Sequence, residues 1–142
     1  MDNGLPTKVL LIEDDKAMCE TLKLVLEPNA FEVYEVNSGP LGIEATRRVK
    51  PDVIIMDLLM PDMDGWEVTR AIRAFSHVPI LVLSAVSKPE MVAKALDEGA
   101  DEYLIKPVPS NVLIAHLKRL ARRARAEREA NAKGVKQPVK PR

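Results

Sequence analysis

Glu13, Asp14, Asp57, Ser84 and Lys106 each follow a short apolar run in this 142-residue chain. Val9-Leu10-Leu11-Ile12 is followed by Glu13-Asp14-Asp15, and Val53-Ile54-Ile55-Met56 by Asp57. Ile80-Leu81-Val82-Leu83 is followed by Ser84, and Tyr103-Leu104-Ile105 by Lys106-Pro107. Clustered carboxylates repel, and a small hard cation relieves the repulsion. Oxygen donors with water suit Mg²⁺, and no His or Cys stands in the set to favour zinc. An Asp beside such a cation is a nucleophile toward a phosphoryl group, with a hydroxyl and an ammonium to hold the phosphoryl oxygens. The chemistry these residue types support is formation of an aspartyl phosphate. Each residue alone has an ordinary explanation: Asp15 as a helix cap, Ser84 as a turn hydroxyl, Lys106 as a surface lysine. Their order at the ends of four of the apolar runs makes the combination informative.

The elements that must position these groups are legible in the hydropathy pattern. Apolar runs at 9–12, 53–56 and 80–83 lack alternation, as strands covered on both faces do. Phe31–Tyr34 is less pure and reads as an edge strand. Helical stripes separate the runs: Met18, Leu22, Val25 and Leu26 in 17–27; Leu41, Ala45 and Val49 in 39–49; Val68 and Ile72 in 66–74; Met91, Ala95 and Leu96 in 89–98; Leu113, Leu117 and Leu120 from Ser110 onward. Five strand–helix alternations predict an α/β sandwich with right-handed crossovers around a parallel sheet. In such a sheet ligands collect outside the carboxyl ends of the strands, where the five groups fall.

Composition sets the class. The chain is 46% hydrophobic and 30% charged, as a globular domain is. Cys19, the one cysteine, excludes an internal disulfide, and no apolar run reaches the length of a membrane span. A soluble, cytoplasmic protein is expected. Basic and acidic residues balance at 21 each, yet residues 118–142 hold ten Lys/Arg against two Glu. The last helix is expected to run on past its apolar stripe, supported by weak Arg123–Glu127 and Arg125–Glu129 pairs, with little holding it to a core. Residues 1–122 are assigned to the folded domain and 123–142 to a basic helical extension and flexible tail, loose from Gly134.

With these residues in view, the chain resembles the receiver domain of bacterial two-component response regulators. The resemblance rests on KVLLIEDD at 8–15, DVIIMDLLMPDMDG at 52–65, PILVLSA at 79–85 and GADEYLIKP at 99–107. It implies an α/β fold with a doubly wound, five-stranded parallel sheet, order 2-1-3-4-5, a flavodoxin-like (βα)5 arrangement. Asp57 would be the phosphoacceptor, with Glu13, Asp14, Asp57 and the Leu59 carbonyl holding Mg²⁺. Ser84 and Tyr103 would be switch residues. Lys106 would stabilise transferred charge, with a cis peptide at Lys106-Pro107, and Gly65 would close the loop after Asp57 at a positive φ. A histidine kinase or phosphotransfer protein would supply the phosphoryl group, and a downstream protein would read the α4-β5-α5 surface. Val112 and His116 depart from the Glu and Arg that many DNA-binding relatives use in a homodimer through that surface, although Asp101, Glu102 and Arg123 are retained. Direct DNA recognition is not expected.

The alternative reading is a nucleic-acid or anionic-surface binder worked by the basic tail. A third is that the tail folds back on the acidic body. A dehalogenase-type phosphatase would place an Asp where Leu59 stands, and a dinucleotide-binding fold would place a glycine-rich turn after the first strand.

Overall fold

The computed structural model describes residues 4–134. The strands are β1 (Thr7–Ile12), β2 (Phe31–Val36), β3 (Val53–Met56), β4 (Ile80–Ser84) and β5 (Glu102–Ile105). The helices are α1 (Lys16–Leu26), α2 (Gly39–Val49), α3 (Gly65–Arg73), α4 (Pro89–Asp97) and α5 (Ser110–Ala132), with a 3₁₀ turn at Glu27–Asn29. All neighbouring strands are parallel and their order is β2-β1-β3-β4-β5. This is the expected doubly wound, flavodoxin-like arrangement, with β2 at one edge. The tail residues beyond 134 lie outside the described residues.

The apolar runs lack alternation because successive side chains enter different cores. Leu10, Ile12, Ile54, Met56, Ile80 and Val82 pack with Ala45 and Val49 of α2, Val68 and Ile72 of α3, and Ala95 of α4. Val9, Leu11, Val53, Ile55, Leu81 and Leu83 pack with Cys19, Leu22 and Leu26 of α1, and Leu113, Leu117 and Leu120 of α5. Two-residue periodicity is thus present but invisible, since both faces are dry. Helix starts follow local chemistry: Asp15 accepts from the N–H groups of Ala17 and Met18, Ser38 from Leu41, and Asp64 from Glu67. Gly99 follows α4 at φ +119, a region that favours glycine, and a Cβ there would also meet the Arg73 side chain at 2.9 Å.

The amino-terminal edge of the sheet carries an ion-pair network. The Arg73 guanidinium donates to Asp101 at 2.8 Å and to the carbonyls of Gly99, Ser76 and Val78. Asp101 also accepts from the backbone N–H of Ile80 at 2.9 Å and from Arg123 at 2.6 Å. The Arg73 and Asp101 side chains are 8% and 10% exposed, so removing one partner strands a largely buried charge. Asp101→Ala is expected to lower unfolding stability by about 3–5 kcal/mol, read from the denaturation midpoint. Glu98→Ala, which frees the exposed Arg70, should leave the midpoint unchanged within error.

Helix α5 continues well past its apolar stripe. Leu113, Leu117, Leu120 and Ala121 are its buried residues. Beyond them the helix is tied by charge: Arg123 to Asp101, and Arg125 and Arg128 to Asp52. Arg123 also lies 3.9 Å from Glu127, as its spacing predicts. The expected Arg125–Glu129 pair does not form, because Arg125 turns to Asp52 and to the Thr7 hydroxyl instead.

Candidate functional site

Strand order places the carboxyl ends of β1, β3, β4 and β5 side by side. Register then aligns the residues that leave those ends. Ile12 pairs with Met56, so Glu13 and Asp57 leave their strands at the same level; Ser84 pairs with Ile105, so Lys106 emerges one residue beyond. Backbone bonds fix both junctions, from Asp57 N–H to the Ile12 carbonyl (3.2 Å) and from Lys106 N–H to the Ser84 carbonyl (2.9 Å). The Lys106-Pro107 peptide is cis, as the resemblance implies.

At this edge the Lys106 ammonium stands between two carboxylates, 3.3 Å from Asp57 Oδ2 and 3.4 Å from Glu13 Oε1. The second Asp57 oxygen accepts from the Leu59 N–H at 3.2 Å, and the second Glu13 oxygen from the Asp15 N–H at 3.1 Å. Glu13 is 3% exposed. Burial pushes its carboxyl above the ordinary range, against the Asp15 N–H and the Lys106 charge, which favour the ionised form. Burial alone would lower Lys106, but the charges of Asp57 and Glu13 outweigh it and raise the ammonium further. The lysine is therefore cationic at neutral pH and locked onto both acids. Asp14 is exposed beside them.

Ser84 is 1% exposed, and its hydroxyl accepts from the Val86 N–H at 3.2 Å. The Tyr103 hydroxyl donates to the Val86 carbonyl at 2.6 Å. Ser84 and Tyr103 thus grip opposite sides of one loop residue, a link the spacing alone did not reveal. Gly65 corrects an expectation. It is not among the positive-φ residues; its N–H donates to the Leu58 carbonyl at 2.7 Å, and a Cβ would lie 3.0 Å from Leu58 Cα and 3.1 Å from the Asp57 carbonyl oxygen. Glycine is required there by close approach to the backbone that carries Asp57. Gly65→Ala is expected to cost about 1–3 kcal/mol of stability through that crowding, measured by chemical denaturation.

Among the described residues, no three His, Cys, Asp or Glu side chains are gathered at metal-holding distances. Glu13, Asp57 and the exposed Asp14 nevertheless fit Mg²⁺, which takes one or two carboxylates and keeps several waters. A buried carboxylate whose ionised form is disfavoured by burial is a group that a divalent cation would relieve.

Cys19 adjoins the site: its thiol donates to the Glu13 carbonyl at 3.5 Å. Burial, then the hydrogen bond and charge of Glu35, push the thiol up to about 12. Near neutral pH its thiolate population is about 10³-fold below that of an ordinary cysteine. Alkylation by iodoacetamide, followed by mass, should be slower by at least that factor until the protein is denatured.

This geometry has counterparts among known proteins. Residues 9–118 match the response regulator receiver domain model. The chain belongs to the response regulator receiver domain family. It is 37% identical over 124 residues to the cell cycle response regulator CtrA of Brucella ovis, an alignment covering 87% of this chain and 53% of CtrA. The chain therefore spans about half the length of the curated relatives it matches. A two-component response regulator from Clostridium difficile superposes with a TM-score of 0.79 at 32% identity, covering 82% of this chain and 97% of that one. The chemotaxis protein CheY4 of Vibrio cholerae superposes with a TM-score of 0.76 at 29% identity, covering 81% and 98%. The receiver is a signalling domain of phosphorelays, and receivers bind Mg²⁺ at an acidic pocket. No helix among the described residues is long and apolar enough to cross a membrane.

Proposed function

We propose that Asp57 accepts a phosphoryl group from a phosphohistidine of a histidine kinase or phosphotransfer protein in the cytoplasm. An Asp57 carboxylate oxygen forms the new P–O bond as the P–N bond to the donor imidazole breaks. Glu13, Asp14, Asp57 and the Leu59 carbonyl would hold Mg²⁺, which when bound neutralises charge on the transferring oxygens. The observation that carries the reading is Lys106, whose ammonium lies within 3.5 Å of both Glu13 and Asp57. When Asp57 becomes the mixed anhydride, the ammonium and the Ser84 hydroxyl are the donors nearest the developing charge. The product carries close to two negative charges. Its pull on Ser84 frees the Val86 loop from one side, and Tyr103, bonded to the other side of Val86, turns inward. The α4-β5-α5 surface then has two states for a downstream protein to read. Loss of the phosphoryl group by hydrolysis, assisted by the same residues, resets the switch.

Incubating the intact chain with Mg²⁺ and a small acyl phosphate should add one phosphoryl group, detected as a single mass increment. Chelating the divalent cation should suppress the increment. An unchanged mass in the presence of Mg²⁺ defeats the reading.

A homodimer through α4-β5-α5 would have to use charges already engaged within the chain. Asp101 is held by Arg73 and Arg123, and Glu102 by Arg119. Among the described residues, four arginines that the alternative of an anionic surface would use, Arg119, Arg123, Arg125 and Arg128, are paired with carboxylates of the same chain.

A further inference from the structure

At the end of the sheet opposite Asp57, two carboxylates immediately precede strands: Asp52 before β3 and Asp101 before β5. Asp52 is 7% exposed and accepts from the backbone N–H of Lys8, in β1, at 2.8 Å. It also holds Arg128 at 2.6 Å and Arg125 at 3.4 Å, and Arg125 reaches the Thr7 hydroxyl at 3.3 Å. Asp101 holds Arg123 at 2.6 Å. Position 123 of α5 thus attaches to the start of β5, position 125 to the starts of β3 and β1, and position 128 to the start of β3. From β5 to β3 the sheet spans roughly 10 Å, while the helix advances about 7.5 Å from Arg123 to Arg128. Arginine side chains are long enough to close the difference.

We infer that α5 beyond Ala121 is a strap laid across the amino-terminal edge of the sheet. Asp101 and Asp52 hold it there, so that the folded body fixes the direction in which the chain leaves Ala132. Apolar packing does not supply the hold, because the apolar residues from 122 to 132 are Ala124, Ala126, Ala130 and Ala132. An open cleft of about 630 Å³ separates the end of the strap from the start of β1, lined by Leu5, Pro6, Lys8, Arg128 and Ala132. The contact is therefore made by guanidinium groups reaching across, not by helix-to-sheet packing. The arginine side chains of these pairs are 20–55% exposed and the Asp52 side chain 10%, intermediate between a surface pair and a buried one. Burial alone would raise the Asp52 carboxyl, but Arg128, the Lys8 N–H and Arg125 outweigh it and hold it below the ordinary carboxylate range.

Amide hydrogen exchange on the full chain tests the strap, comparing residues 122–132 with 110–121. The double variant Arg125→Gln/Arg128→Gln should exchange at least tenfold faster over 122–132, with 110–121 unchanged. Asp52→Asn should do the same; should that variant fail to fold, the double variant decides alone. Arg122→Gln, at an exposed position with no ion pair among the described residues, controls for helix propensity and should exchange like the wild type. Equal exchange over 122–132 in the wild type and the double variant would overturn the strap. So would an equally large effect of Arg122→Gln, since the helix would then stand on its own propensity.

Discussion

Asp57→Asn is expected to abolish phosphoryl incorporation altogether while leaving the fold intact. The amide lacks the anionic oxygen that forms the P–O bond, and Glu13, which faces the same ammonium, is buried. The substitution preserves shape, so the amide oxygen still accepts from the Leu59 N–H. It also removes one of two like charges that meet at Lys106, so thermal stability without Mg²⁺ should hold steady or rise. Mass measurement after treatment with Mg²⁺ and an acyl phosphate, beside a melting curve, checks both halves. Residual incorporation at more than a few per cent of the wild-type rate would mean that another group accepts.

Lys106→Met carries the second large effect. Its ammonium is the cation within 3.5 Å of both Glu13 and Asp57. At about 4 Å and an effective dielectric near 20, one such charge pair is worth about 4 kcal/mol. Part of that is already present before reaction, so the kinetic loss is smaller than the pair energy. A loss of about 10²–10³ in phosphorylation rate is expected, comparable to removing one positioned donor to a developing anion. Mg²⁺ affinity should move the other way. Without the ammonium, Glu13 and Asp57 face each other uncompensated, so the cation should bind as tightly as in the wild type or more tightly, by calorimetry. Slow phosphorylation with retained Mg²⁺ binding separates a lost charge from a collapsed site.

The site was legible in the sequence because parallel sheets put chemistry at strand ends. Glu13, Asp57, Ser84 and Lys106 each follow an apolar run, and strand order alone makes them neighbours. What the sequence did not disclose is how they are held. That Lys106 bridges Glu13 and Asp57 depends on register, which a run of consecutive apolar residues does not encode. Gly65 was legible as the residue that closes the loop after Asp57 but for a different cause, since how closely that loop folds back on its own start at Asp57 and Leu58 is not written in the residue types. The other end of the sheet was read less fully. Asp52 follows Pro51 and Asp101 lies two residues after Gly99, so both look like loop acids. Their partners Arg73, Arg123, Arg125 and Arg128 lie 22 to 76 residues away in sequence. The one available signal was positional: an acid immediately ahead of an apolar strand sits where burial is deep and backbone N–H groups lack partners.

Mapping where the phosphoryl group lands tests the central claim most directly. The intact chain would be treated with Mg²⁺ and an acyl phosphate, quenched, digested and sequenced by mass spectrometry. A single modification on the peptide bearing Asp57, at that residue, is the predicted result. Modification at Asp14 or Asp62 with Asp57 untouched would contradict it, because the convergence of Glu13, Asp57 and Lys106 would then not be where the chemistry happens.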